Sequence, residues 1–224
     1  IPKSIGQLQK LKELRLPETL DELPHTIFDL KNLEILEMDT EGISSIPETI
    51  GQLLNLKELY PPDNIEQLPR TFTQLKNLEI LDLSNSRIKK LPEGFENLTK
   101  LQVLRLDYSS IDSLSEAICE LIELTELDLA GTNINILPQN IGKLSQLTKL
   151  DLGETKIKGL PNSIGNLISL RYLSLMNTPI EELPASINQL VNLEDVYLNK
   201  TPNLKTLPNL NNIKIFEFRL FSKY

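Results

Sequence analysis

The stretch Leu124 to Gln146, LTELDLAGTNINILPQNIGKLSQ, is one complete copy of a unit that recurs along almost the whole chain. Its first part, LTELDL, alternates apolar and polar residues as a short strand does. Its second part spaces Leu137, Ile141 and Leu144 in the manner of a short helical segment. Pro138 lies where that segment would begin, a position at which its missing N–H group is harmless. Each copy is therefore predicted to fold as a strand, a turn and a short helical segment.

Copies of this unit follow one another at a nearly constant spacing. Successive copies start 22 or 23 residues apart, at Leu33, Leu56, Leu78, Leu101, Leu124, Leu147, Leu170 and Leu193. A unit this short cannot bury its own apolar face, so stacked copies must share one continuous core, with their strands side by side in a parallel sheet. The sequence therefore predicts one elongated solenoid of about nine or ten repeats.

The pattern LxxLxLxxTxIxxLPxxIGxL resembles the repeat of the leucine-rich repeat family, and the resemblance extends from Ile1 to about Leu220. The LPxxIGxL part is similar to repeats of bacterial leptospiral-type proteins, and also to those of Ras-suppressor-like proteins and plant intracellular receptors. The resemblance implies an α/β solenoid, a right-handed horseshoe with a concave parallel β-sheet and short helical or 3-10 segments on the convex side. We expect residues 1–224 to form a single domain whose first repeat is incomplete, with further sequence upstream.

Two parts of the repeat array depart from the regular pattern. The copies that start at Leu11 and Leu56 are one residue short just after the strand, where Pro17 and the pair 61–62 occur. Proline removes a hydrogen-bond donor from a sheet, so we expect an irregular sheet edge in this region. Two interpretations of this irregularity are open: ordinary sequence drift of the repeat, or a loop re-aimed for a partner.

The chain end is predicted to close the core. The copy after Thr201 is interpreted as gaining a residue, and Phe216 and Phe218 are assigned to inward strand positions of a cap over residues 213–224. The alternative is that the end, with Leu220, Phe221 and Tyr224, is a sticky surface for self-association or for a further domain.

Composition narrows the classes of function. The chain has 31 acidic and 23 basic residues and a formal net charge of −8, which disfavours nucleic acid as a partner. No apolar run approaches the roughly 18 residues of a membrane-spanning helix. Cys119 is the only cysteine and is interpreted as a packing thiol, and the lone His25 as a surface residue. No cofactor or metal site is predicted. A secreted or cell-surface bacterial location is slightly favoured, and an intracellular one is open.

A polar residue follows each strand at the ninth repeat position. These residues are Asn64, Ser86, Ser109, Thr132, Thr155, Thr178 and Thr201. Because buried hydroxyl groups need hydrogen-bond partners, we expect a structural ladder in which they bond the backbone of neighbouring turns.

Strand positions that alternate with the inward leucines are predicted to line the concave face. Four of the five tyrosines fall on it, beside an acidic centre around Arg105 that suits a partner with basic character. The candidate partner-binding residues are Tyr60, Asp82, Arg105, Tyr108, Asp128, Asp151, Tyr172, Met176 and Tyr197.

The chemistry on this face favours binding over catalysis. A hydrolase that uses Asp128 and Asp151 is disfavoured. On an open, solvated surface nothing raises the pKa of a carboxyl group or excludes water from it. The sequence predicts a non-catalytic protein-interaction scaffold that binds a protein ligand on its concave face. The alternative is the recognition segment of a larger receptor or bacterial effector whose activity lies elsewhere.

Overall fold

The computed structural model describes residues 1–38, 40 and 42–206, and the backbone of residues 214–216. Its strands are β1 (Glu13–Arg15), β2 (Ile35–Glu37), β3 (Glu58–Tyr60), β4 (Ile80–Asp82), β5 (Val103–Arg105), β6 (Glu126–Asp128), β7 (Lys149–Asp151), β8 (Tyr172–Ser174), β9 (Asp195–Tyr197) and β10 (Lys214–Phe216). Its 3-10 segments are η1 (Lys3–Gln7), η2 (His25–Asp29), η3 (Glu48–Gln52), η4 (Arg70–Gln74), η5 (Phe95–Asn97), η6 (Glu116–Glu120), η7 (Ile141–Lys143), η8 (Asn162–Asn166) and η9 (Ala185–Gln189).

The strands form one open parallel sheet in chain order, so each strand pairs with those of the preceding and following repeats. Residues at equal repeat positions are register partners, as Leu104 with Leu127 and Leu127 with Leu150. The middle residue of each strand from β2 to β9 is buried, while its neighbours are mostly half-buried. The predicted solenoid and the predicted strand register are confirmed.

The 3-10 segments pack in sequence on the other side of the core. Most begin directly after a proline in extended conformation, such as Pro47 before η3 and Pro161 before η8. Where Ser115 replaces this proline, its Oγ atom accepts a hydrogen bond from the Ala117 N–H at 3.2 Å. The serine therefore caps its segment as an N-cap residue does.

One continuous apolar core runs between the two layers from Leu16 to Leu204. The inward leucines of the central strands are fully buried, and the buried Phe72 and Phe95 fill the position that isoleucine holds in most other repeats. Cys119 is fully buried in the same core, and burial raises the pKa of its thiol to about 12. Its interpretation as a packing thiol agrees with this burial.

After each strand from β4 to β9, the turn contains one residue with positive φ. These residues stand at the same repeat position and are Asn85, Tyr108, Gly131, Glu154, Asn177 and Lys200. In the first five of these turns, from Asn85 to Asn177, the N–H of this residue donates to a carbonyl of the next turn, for example from Tyr108 to the Ala130 carbonyl at 2.7 Å. A left-handed residue thus extends the pairing of successive turns beyond the three-residue strands.

The predicted irregularity of the early turns is found at Pro61. Pairing of β3 with β4 ends at Leu59 and Leu81, whereas the Leu83 N–H at the position of Pro61 donates to the Arg105 carbonyl at 2.8 Å. Proline has no N–H group, so this bond cannot form. Pro17 has no such effect, because the preceding Leu16 N–H still donates to the Glu37 carbonyl at 2.9 Å.

The ninth-position threonines bond their own turn, so the expectation that they bond neighbouring turns is wrong. The Oγ1 atoms of Thr132, Thr155 and Thr178 each donate to a carbonyl three residues earlier at 2.7 Å. Successive turns are stacked about 4.8 Å apart, so the carbonyl within the turn is the closer acceptor. Ser86 and Ser109 are buried without a hydroxyl partner among the described residues.

The last strand corrects one assignment. Its register pairs Ile215 with the buried Val196 and Phe216 with Tyr197, so Ile215 and not Phe216 holds the repeat position of the inward residue. Register partners in β9 and β10 lie 19 residues apart, so this copy is shorter than the others, not longer. Phe218, Leu220, Phe221 and Tyr224 lie outside the described residues.

Candidate functional site

Two rows of outward side chains cross the sheet and form its strand face. The first row is Glu13, Ile35, Glu58, Ile80, Val103, Glu126, Lys149, Tyr172 and Asp195. The second row is Arg15, Glu37, Tyr60, Asp82, Arg105, Asp128, Asp151, Ser174 and Tyr197. The sequence predicted both rows correctly. Ser174 is buried, so it adds little to the exposed surface.

Ion pairs link the middle of the strand face. Arg105 Nε lies 3.0 Å from Glu126 Oε1, and Arg105 Nη1 lies 3.4 Å from Asp82 Oδ2. Lys149 Nζ lies 3.2 Å from the same Glu126 oxygen and 3.3 Å from Asp128 Oδ2. We call these five residues the charged cluster. The sequence suggested that Arg105 is a lone cation among acidic residues. Lys149 is a second cation there, because it pairs with Glu126 and Asp128.

The second-row aspartates also brace the turns that follow their strands. The Oδ1 atoms of Asp82, Asp128 and Asp151 accept the N–H two residues later, at 3.1, 3.1 and 2.9 Å. Each side chain thus folds back on its own backbone, as aspartate does in Asx turns. This structural task leaves one carboxylate oxygen per residue for other contacts.

Burial and charge act on these carboxylates in different directions. Burial raises the pKa of Asp128, and the nearby Asp151 and Asp107 add to this against the opposing Ala130 N–H and Lys149. Burial would also raise the pKa of Glu126, but hydrogen bonds from Arg105 and Lys149 outweigh it and lower that pKa. Glu126 is therefore the anion that holds the charged cluster together.

Two tyrosines from adjacent strands form an aromatic pair. The ring centroids of Tyr172 and Tyr197 are 5.3 Å apart with an interplanar angle of 41°, which is a favourable aromatic geometry. Tyr172 Oη donates to Asp151 Oδ2 at 3.2 Å, and Lys149 Nζ lies 5.9 Å from the Tyr172 ring centroid. Burial, followed by the charge of Asp151, raises the pKa of Tyr172 to about 12. Tyr172 is therefore neutral and is held on the face by Asp151 and by Lys149 of the charged cluster.

Met176 follows the aromatic pair on the sheet edge. It is half-buried in the turn after β8, and its carbonyl accepts the Glu154 N–H at 2.7 Å. Tyr172, Tyr197 and Met176 therefore lie on adjacent repeats at the C-terminal part of the strand face. We call them the aromatic site.

Tyr60 and Tyr108 are separate from the aromatic site. Tyr60 Oη donates to Glu58 Oε2 at 2.9 Å, and burial, with that carboxylate, raises the pKa of Tyr60 to about 12. Tyr108 is 56% exposed at the turn after β5, and its ring lies over Gly131. The structure thus joins only two of the four tyrosines that the sequence grouped together.

Sequence reasoning gave Glu126 and Lys149 no role, although both anchor the charged cluster. The repeat spacing could have identified this pair, because residues 23 positions apart in this array are neighbours on adjacent strands. It also left out Ser84, whose Oγ lies 2.6 Å from oxygens of both Asp82 and Asp107.

The described part of the chain contains neither a metal-binding cluster nor a membrane-spanning helix. Within residues 1–38, 40 and 42–206, no group of three or more His, Cys, Asp or Glu side chains could hold a metal ion. Over the same residues, none of the helical segments is long and apolar enough to cross a bilayer.

The fold and the repeat positions define the class of protein. A sequence model described as leucine rich repeat matches residues 63–111, 76–134 and 122–180, which together span more than half of the chain. The chain belongs to the leucine-rich repeat family. No curated protein matches the sequence significantly.

Solved structures give closer comparisons. A leucine-rich repeat protein of Leptospira interrogans is 28% identical with a TM-score of 0.68, over 96% of this chain and 69% of that one. The ectodomain of the Arabidopsis thaliana receptor kinase GASSHO1/SCHENGEN3, in complex with CASPARIAN STRIP INTEGRITY FACTOR 2, is 26% identical with a TM-score of 0.69, covering 88% and 28%. The PEPR1–AtPEP1 structure is 25% identical with a TM-score of 0.79, covering 96% and 32%. The chain therefore spans about two thirds of the leptospiral protein and about a third of each plant chain.

Proposed function

We propose that this chain is a non-catalytic protein-binding scaffold whose strand face receives a protein ligand, with the aromatic site as the main contact. The observation that carries the proposal is the tilted pair of half-buried tyrosines on adjacent strands, with the half-buried Met176 in the turn after the strand of Tyr172. Tyrosine offers a large apolar area with a polar end and is enriched at binding hot spots.

Rigidity of the aromatic site supports this role. Tyr172 is held by Asp151 and lies beside Lys149, which itself bonds Glu126 and Asp128. A ring that is already fixed in place loses little conformational entropy when a partner binds. The charged cluster therefore supports the aromatic site. Its carboxylates are already paired with Arg105 and Lys149, so the partner does not need to be strongly basic.

The related structures support a protein partner. Two of the similar structures, the GASSHO1/SCHENGEN3 ectodomain and PEPR1, are complexes with CASPARIAN STRIP INTEGRITY FACTOR 2 and AtPEP1. This chain covers only 28% and 32% of those two chains, so a second candidate function is that of a segment within a longer protein. In that candidate, these repeats are the recognition segment of a larger receptor or effector.

The test is a peptide selection followed by affinity measurements. Peptides selected from a displayed random library against the folded chain would be titrated by isothermal calorimetry against the parent and Tyr172→Ala/Tyr197→Ala. Loss of a hot spot worth about 2 kcal/mol predicts affinity about 30-fold weaker for this variant.

The matched control removes apolar area from another surface. Ile122 and Val191 are 54% and 76% exposed in the turns that lead from 3-10 segments to strands, and Ile122→Ala/Val191→Ala should leave the affinity unchanged. Equal losses in the two variants, or no loss in the tyrosine variant, would refute the aromatic site.

A further inference from the structure

A second surface lies on the edge between the sheet and the 3-10 segments, away from the strand face. It is a depression of about 1330 Å3 lined by residues of the repeats that start at Leu56, Leu78 and Leu101, and none of the strand-face residues lines it. Its cationic side chains are Arg70, Arg87, Lys89 and Lys90. We call this surface the basic groove.

A local change in the repeat opens the basic groove. The segments η3 and η4 start directly after their prolines, but η5 starts only at Phe95, after a turn in which Gly94 has a φ of 84°. Residues 92–94, which precede the three-residue η5, line the depression together with Arg70 and Thr73 of η4. The depression therefore lies beside the shortened segment.

The charge of the basic groove is opposite to that of the chain. Four cations line it together with two carboxylates, Glu66 and Glu93, while the whole chain has a formal net charge of −8. Over the part of the chain that the structure describes, none of the four cations forms an ion pair within 4.0 Å. Arg105 and Lys149 on the strand face, by contrast, are both paired. An acidic ligand would therefore meet cations that are not already neutralised.

The floor of the groove is partly apolar. Leu68 is buried and Leu91 and Pro92 are half-buried along it. A second hollow of about 440 Å3 shares the wall of residues 90–94 and is also lined by Leu114 and Phe95. A ligand that carries both carboxylates and apolar side chains matches this surface, which is the chemistry of an acidic peptide.

Nucleic acid fits the basic groove less well. The depression has no aromatic side chain in its lining on which a base could stack. Its cations are confined to one short patch, and the acidic remainder of the chain would repel a long polyanion.

We infer that the basic groove docks an acidic segment of a protein partner, with its carboxylates on Arg70, Arg87, Lys89 and Lys90 and an apolar side chain over Leu91 and Pro92. This contact is independent of the strand face. The chain thereby has two binding surfaces and can hold two polypeptide segments at once.

The test uses a short fluorescein-labelled peptide of Asp, Glu and Leu residues, followed by fluorescence anisotropy in low salt. Arg87→Glu/Lys89→Glu should bind it about tenfold more weakly or worse, since reversed charges repel the ligand. The matched control is Lys156→Glu/Lys158→Glu, which changes the net charge equally at the same repeat positions three copies later and should bind like the parent. A peptide with Asn and Gln in place of Asp and Glu should not bind.

Three results would overturn the inference. One is equal loss in the two charge variants, which would reflect net charge rather than the groove. The others are no binding of the acidic peptide by the parent chain, and tighter binding of an RNA or DNA oligonucleotide that depends on the same residues. Tyr172→Ala/Tyr197→Ala should leave binding of the acidic peptide unchanged, which separates failure here from failure of the strand-face proposal.

Discussion

The turns from Leu78 to Thr201 and those from Leu11 to Asn77 share one core but leave the sheet in different ways. In the later turns a left-handed residue follows each strand from β4 to β9, and from Asn85 to Asn177 its N–H donates to a carbonyl of the next turn. Before Asn85, none of the described residues, glycine included, has positive φ. In this early part Pro61 also interrupts the pairing of β3 with β4.

Ion pairs between adjacent strands of the strand face form a larger group in the later turns, whereas in the early turns the described residues contain one such pair, Arg15 Nε and Glu37 Oε2 at 3.3 Å. The charged cluster and the aromatic site lie in the regular turns from β4 onward, where every residue faces its register partner. Tyr60 lies before the interruption, and its hydroxyl donates within its own strand, to Glu58. A regular sheet edge thus keeps neighbouring side chains within reach of one another.

The largest expected effect contrasts the core of the two regions. Leu127 in β6 is fully buried, so Leu127→Ala should lower the free energy of unfolding by about 3 kcal/mol through lost burial and a cavity. Leu14 in β1 is only half-buried at the sheet end, and Leu14→Ala should cost about 1 kcal/mol. Urea denaturation measures both. Equal costs would show that the terminal turn is as tightly packed as the centre.

The next effect concerns the left-handed turn itself. Gly131 has a φ of 68°, and a Cβ atom there would lie 2.5 Å from Tyr108 Cδ1. Gly131→Ala should therefore lower the free energy of unfolding by about 1–2 kcal/mol. Gly159 is the control, because a Cβ there meets nothing within 4 Å, and Gly159→Ala should be neutral or slightly stabilising. Similar losses at both sites, measured by thermal unfolding, would argue against the role of the turn.

A glycine placed at the same turn position should have opposite effects in the two regions. Glu154 has a φ of 59°, so Glu154→Gly relieves backbone strain and should raise the free energy of unfolding by about 0.5 kcal/mol. Glu18 holds the equivalent position in an early turn without positive φ, and Glu18→Gly should lower it by about 0.5–1 kcal/mol. Matched signs in chemical denaturation would contradict the distinction between the regions.

The smallest effect is a pH dependence at Asp128. The pKa of Asp128 is raised by burial in the folded state, so its ionised form costs stability, and that cost disappears as pH falls through the folded pKa. The parent should therefore gain stability relative to Asp128→Asn as pH is lowered from 7 towards about 4, by less than about 1 kcal/mol. Asparagine can still accept the Ala130 N–H. A parallel pH dependence for parent and variant would mean that the pKa of Asp128 is not raised.

The repeat predicted the core and both rows of the strand face, because a spacing of 22 or 23 residues fixes which side chains alternate inward and outward. It did not predict the partners of those side chains. The sequence places Arg105 among acidic residues. It does not show that Lys149 reaches both Glu126 and Asp128 from the next strand. Long side chains choose among several neighbours by reach and charge, which spacing alone does not specify.

The early turns and the last strand were predicted less well for a related reason. Pro61 was correctly associated with an irregular edge, but Pro17 was not disruptive, because Leu16 precedes it and keeps its bond to Glu37. At the other end, extrapolating the repeat put Phe216 inward, whereas a copy of altered length put Ile215 in register with Val196. Where copy length changes, alternation alone loses the register.

The central claim is that the strand face around the aromatic site is the ligand-binding surface. The most direct measurement is an amide and side-chain NMR footprint of a selected peptide bound to the chain. We predict that the largest shift changes fall on Tyr172, Met176 and Tyr197, with smaller ones on the charged cluster. A footprint confined to the 3-10 segments, with those three residues unperturbed, would contradict the claim.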